Sequence, residues 1–74
     1  MKINQRIREH IKKNGMNFTH VASKSGIEYK KFSRMMTSKQ TIDTDEYERI
    51  CGALDIDPGY FFNQNFLESQ NISA

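Results

Sequence analysis

Four residues in one short segment have the side chains and the spacing to grip a groove of nucleic acid. Tyr29, Lys30, Ser33 and Arg34 stand at i, i+1, i+4 and i+5, so on a helix they share one face. That face is polar and basic, which is what insertion into a DNA major groove requires. Other chemistries find less support. His10 and His20 are the only histidines, and no second Cys or carboxylate stands at metal-ligand spacing with either, so both read as surface residues. Cys51 is the only cysteine and falls on the apolar face of a predicted helix, which makes it a buried structural thiol. No Ser–His–acid set can be singled out and no glycine-rich phosphate loop exists. Neither an enzyme, a metal, a cofactor nor a small-molecule ligand is expected.

The elements that must position this face lie around it. Residues 18 to 37, FTHVASKSGIEYKKFSRMMT, read as a helix, a tight turn and a second helix. Val21, Ala22, Ile27, Phe32 and Met35 are apolar or small where two crossed helices would meet, and Ala22 suits the point of closest approach. Gly26 falls at the turn, where positive φ is needed and Gly adopts it without strain.

Charge is strongly polarised along the chain. Through Thr41 there are ten Lys or Arg against Glu9 and Glu28, a net +8; from Ile42 onward Arg49 faces seven acids, a net −6. A basic half attracts a polyanion, while an acidic half keeps the opposite side off it. Charge runs alone can be solvated helix faces; their coincidence with the helix-turn-helix pattern points to nucleic acid.

At 74 residues the chain is one domain with a small core, and burying more apolar surface in a dimer would help it. No run approaches the roughly 20 apolar residues of a membrane span. Ile3, Ile7 and Ile11 are interrupted by charged residues, unlike a signal peptide, so a cytoplasmic location is expected.

Helical periodicity runs almost throughout. Ile3, Ile7 and Ile11 form one stripe on a first helix that stops at Asn14-Gly15. Asn17 is the expected N-cap of the second helix, with Met16 as a staple before it; this helix runs to about Ser25 and the third from about Glu28 to Met36. Thr37 to Ile42 reads as a polar loop. Asp43 and Glu46 suggest a capping box for a fourth helix carrying Tyr47, Ile50, Cys51 and Leu54 inward. Asp57-Pro58 opens a short fifth helix through Tyr60, Phe61 and Phe62. The predicted fold is therefore all-α, a compact bundle of five short helices. Residues 1–63 form the domain and residues 64–74 a polar tail.

This order of helices, with GMN, VASKSGI and FSRMM inside it, resembles the lambda-repressor/Cro-like DNA-binding domains of the XRE family over roughly residues 3 to 62. In that family the second helix of the motif reads bases in the major groove, and dimers bind two half-sites of a pseudo-palindromic operator. The resemblance implies groove-facing positions at Glu28, Tyr29, Lys30, Ser33, Arg34 and Thr37. Chemistry separates them. Arg34 can donate two parallel hydrogen bonds to guanine O6 and N7, and Lys30 can reach the same edge as a point charge. Tyr29 suits a thymine methyl or a phosphate, while Ser33 permits close approach. Glu28 is better read as a helix-start charge favoured by the helix dipole. Lys31 and Lys39 are expected to contact phosphates.

Three departures from the family pattern stand out. The second helix commonly begins with Gln, which braces the phosphate backbone; here Phe18 stands there, leaving that contact to Asn17 or Thr19. An Arg–Glu ion pair between the first and third helices is replaced by Ile11 and Met36, a swap that costs little because buried ion pairs gain little over packed hydrophobes. The family's Asn-Gly-Lys loop reads Thr37-Ser38-Lys39, which puts its geometry in question.

Tyr60, Phe61, Phe62 and Phe66 are the densest aromatic cluster, more than one short helix can bury inward. A homodimer contact is expected there, with Tyr60, Phe66 and Leu67 contributing. These readings combine into a sequence-specific regulator of double-stranded DNA, a small repressor of prokaryotic, phage or mobile-element type acting by operator occupancy. The rival is a protein-interaction module, antitoxin- or anti-repressor-like, that binds a partner through the acidic and aromatic half. Phe18 and the altered loop favour the rival; Lys30, Lys31, Arg34 and Lys39 oppose it.

Overall fold

A computed structural model describes residues 2–63 of the chain. Among them are four α-helices, α1 (Ile3–Lys13), α2 (Phe18–Ser25), α3 (Tyr29–Met36) and α4 (Thr44–Leu54), and a short fifth, α5 (residues 59–63). The described residues contain no strand, as the absence of any alternating pattern predicts. The tail expected at 64–74, with Phe66 and Leu67, lies outside the described residues.

Local chemistry sets the helix starts. Asn17 Oδ1 accepts from the backbone N–H of Thr19 at 2.7 Å and of His20 at 3.3 Å, satisfying two of the orphan donors of α2. At α4, Asp43 Oδ1 accepts from Glu46 N at 2.7 Å while Glu46 Oε1 accepts from Asp43 N at 3.1 Å, a complete capping box. Asp57 Oδ1 accepts from Gly59 N at 2.7 Å and opens α5.

The four longer helices end alike. Each passes into one left-handed residue, and the next residue's N–H reaches back to a carbonyl five positions earlier: Met16 to Ile11, Ile27 to Ala22, Lys39 to Arg34 and Ile56 to Cys51, at 2.9–3.1 Å. The left-handed residues are Gly15 (φ 65°), Gly26 (φ 68°), Ser38 (φ 62°) and Asp55 (φ 58°). Two are glycines and carry no strain there; two are L-residues and do. The question raised by the missing loop glycine has a clear answer: Ser38 takes the left-handed conformation itself, so the turn closes as a glycine turn would.

Ile7, Ile11, Val21, Ala22, Ile27, Phe32, Met35, Met36, Tyr47, Ile50, Cys51, Ala53, Leu54 and Phe61 form one buried cluster drawn from all five helices. Ile11 and Met36 are both fully buried in it, so the positions of the family's ion pair are apolar core. At about 25 cal/mol per Å² of apolar area, large aliphatic side chains of this kind each contribute roughly 1.5–3 kcal/mol. Cys51 is buried and its thiol is pushed above its ordinary value by desolvation. The neighbouring Tyr47 hydroxyl donates to the Pro58 carbonyl, tying α4 to the start of α5. No helix among the described residues is long and apolar enough to cross a membrane.

Candidate nucleic-acid interface

The amphipathic pattern of α3 sorts its side chains cleanly. Phe32, Met35 and Met36 point into the core, and Phe32 takes an edge contact from Phe18 of α2, ring centroids 6.1 Å apart. Turned outward are Tyr29, 49 % exposed, and Lys30, Arg34 and Thr37, all exposed, with Ser33 half-buried between them. Arg34 Nε donates to Gln40 Oε1 at 3.4 Å. The Thr37 hydroxyl donates to the carbonyls of Ser33 and Arg34, both at 3.2 Å, so it closes the helix end.

Lys31 stands apart from the others. Its Nζ lies 2.5 Å from Glu46 Oε2, and the Glu46 side chain is 6 % exposed. The ammonium is therefore held against α4 rather than turned outward with Lys30 and Arg34. Lys31, expected at a phosphate, carries an intramolecular ion pair here, because α4 presents a buried carboxylate on that side of α3. Lys39 remains exposed.

The start of α2 supplies the neighbouring surface. Lys12, Met16, Asn17, Phe18, Thr19 and Tyr29 line an open groove of about 340 Å³. Asn17 and Thr19 are exposed there, and Asn17 uses its oxygen in the cap while its amide nitrogen stays available. Phe18, in place of a polar brace, is half-buried and packs on Phe32. Tyr29 closes one side of the groove and also opens the outward face of α3, so the two surfaces are continuous.

Two polar residues that hold this surface escaped the reading of the sequence. Asn4 of α1, buried, donates to the carbonyl of Met35 at 3.0 Å and to that of Gln40 at 2.9 Å. Both partners are carbonyl oxygens, so only the amide nitrogen can face them, and both its protons are used. It pins the last turn of α3 and the following loop to α1. Its signal was present: Asn4 precedes Ile7 and Ile11 at i, i+3 and i+7, a polar residue on an apolar stripe. Arg49 Nη1 donates to the Gly26 carbonyl at 3.3 Å, tying α4 to the turn between α2 and α3. Among the described residues no group of three or more His, Cys, Asp or Glu is arranged to hold a metal ion. Tyr60, 42 % exposed, packs edge-on against His10 at 5.9 Å, and Phe62, 56 % exposed and two residues further on in α5, packs on Tyr47 with ring centroids 5.1 Å apart.

The model of one family, the Cro/C1-type helix-turn-helix DNA-binding domain, matches residues 6–63, which covers α1 to α5 apart from the first residues of α1. No curated protein and no solved structure matches the chain. With the match extending over most of its length, and with an exposed basic helix set on a buried helix-turn-helix scaffold, the chain belongs to the Cro/C1-type helix-turn-helix DNA-binding domains.

Proposed function

We propose that this chain is a sequence-specific double-stranded DNA-binding regulator, a small homodimeric repressor of phage or mobile-element type that acts by occupying a pseudo-palindromic operator. The observation that carries the reading is the outward face of α3. Tyr29, Lys30 and Arg34 project from a helix whose other side is fully engaged by core, ion pair and amide clamp. In the major groove, Arg34 and Lys30 donate to guanine acceptors, Tyr29 meets a thymine methyl or a phosphate, and Ser33 and Thr37 permit close approach. Asn17, Thr19, Lys31 and Lys39 contact phosphates, and Lys12 joins them from the groove at the start of α2.

The dimer reading rests on Tyr60, an exposed aromatic of α5; Phe66 and Leu67, the other expected contributors, lie outside the described residues. A two-fold dimer would present two copies of α3 to successive major grooves, about 34 Å apart. Selection from a random duplex pool tests the proposal. Enrichment of a pseudo-palindrome with half-sites one helical turn apart supports it, and failure to enrich any sequence contradicts it.

A further inference from the structure

Arg34, the strongest candidate reader of base edges, is not a free surface side chain. Its Nε–H is taken by the Gln40 side-chain carbonyl at 3.4 Å, the long end of hydrogen bonding. Gln40 is in turn fixed from below, because its backbone carbonyl accepts from the buried Asn4 amide at 2.9 Å. The same amide holds the Met35 carbonyl, one residue beyond Arg34 on α3. The loop backbone that carries Gln40 is therefore pinned to α1, and the Gln40 side chain reaches from it to the exposed guanidinium.

We infer that Gln40 is a specificity-determining positioning residue: it holds Arg34 so that only the two terminal nitrogens of the guanidinium meet the DNA. Arg carries five N–H donors in a rigid fork, and with Nε–H engaged the remaining four lie on Nη1 and Nη2. An end-on approach, one Nη to guanine O6 and the other to N7, is then the available bidentate geometry; a side-on approach through Nε and one Nη is blocked. Immobilising a long side chain before binding lowers the ordering cost that recognition would otherwise carry. The inference rests on the DNA-reading role proposed for α3 and adds to it a residue that need not touch a base.

A double-mutant cycle tests it, using the full chain and duplexes that the wild type enriches from a random pool. Binding is measured at low salt, where phosphate contacts keep weakened variants on the duplex. Gln40→Ala is expected to weaken binding to the selected duplex about 2- to 10-fold in the Arg34 background, and to have no effect once Arg34→Ala is present. Binding to random duplex stays unchanged, and so does the thermal midpoint, since the Asn4 bond goes to the Gln40 backbone and survives. Gln40→Glu, whose carboxylate also accepts from Nε–H, restores discrimination. An equal loss in both backgrounds, or an equal loss on random duplex, would overturn the positioning role while leaving the DNA-reading assignment intact. A wild type that enriches no sequence would instead remove the assignment, and the inference with it.

Discussion

Glu46 joins two helices through its two carboxylate oxygens: Oε1 accepts from the Asp43 backbone N–H at 3.1 Å and Oε2 from the Lys31 ammonium at 2.5 Å. The residue that completes the capping box of α4 is thus also the residue that fixes the flank of α3. Its carboxylate is almost wholly buried, whereas the Lys31 side chain is 39 % exposed, so the two partners of the pair are not equivalent.

That asymmetry predicts which partner matters more. Removing the Glu46 side chain loses its half of the capping box together with the ion pair, while the Asp43 cap on the backbone N–H stays, and Glu46→Ala should cost about 1–3 kcal/mol. Lys31→Met keeps the stem and leaves the carboxylate its backbone donor; with part of the pair screened by solvent, its cost should be smaller, about 1 kcal/mol. Urea denaturation of the two variants measures both. A larger loss for Lys31→Met would mean that the carboxylate depends on the ammonium rather than on the cap.

Ser38 and Asp55 hold left-handed φ without being glycine. Ser38→Gly and Asp55→Gly should each stabilise by about 0.5–1 kcal/mol, because relief of the Cβ clash exceeds the added chain entropy of Gly. Thermal melts would register each as a shift of several degrees upward. Ser38→Val, β-branched at the same φ, should shift the melt downward.

Asn4 donates both amide protons to carbonyl oxygens. Asn4→Asp would set a carboxylate against two carbonyls, and a loss of about 2 kcal/mol or more is expected at neutral pH. The loss should shrink in acid, where the protonated carboxyl regains one donor. Urea midpoints for wild type and variant on either side of the carboxyl titration would show the difference narrowing.

What the sequence made legible, and what it did not, follows from the range of the interactions. Caps at Asn17 and at Asp43–Glu46, the Gly26 turn and the apolar stripe of α1 depend on residues within four positions, and all stand where the pattern put them. The outward face of α3 follows from the same helical period. Lys31 could not be read this way, because its partner Glu46 lies beyond a loop, on another helix. Asn4 and Gln40, 36 residues apart, meet only once α1 and the end of α3 have packed. Ser38 escaped for a different reason: propensity disfavours left-handed Ser, yet the helix-ending hydrogen bond from Lys39 to Arg34 holds it there.

Two buried acids give the fold an alkaline limit. Desolvation raises the Tyr47 phenol well above its ordinary 10.0 and the Cys51 thiol above its ordinary 9.0. Both therefore remain protonated in the folded chain at a pH where the unfolded chain releases its protons. Their contribution is fully present below the unfolded values and is lost as pH rises through them towards the folded ones. Stability should be level up to about pH 9 and fall beyond it, and Tyr47→Phe should flatten that fall even though it forfeits the bond to Pro58. Urea midpoints across this range provide the check.

Whether the outward face of α3 binds DNA is decided by a fluorescence-anisotropy titration. Wild type and Lys30→Glu/Arg34→Glu are titrated with random-sequence duplex at several salt concentrations, with circular dichroism to confirm that both are folded. Wild-type binding should weaken steeply with salt, and the folded double variant should no longer bind. No wild-type binding even at low salt, or undiminished binding by the folded double variant, would contradict DNA binding by this face.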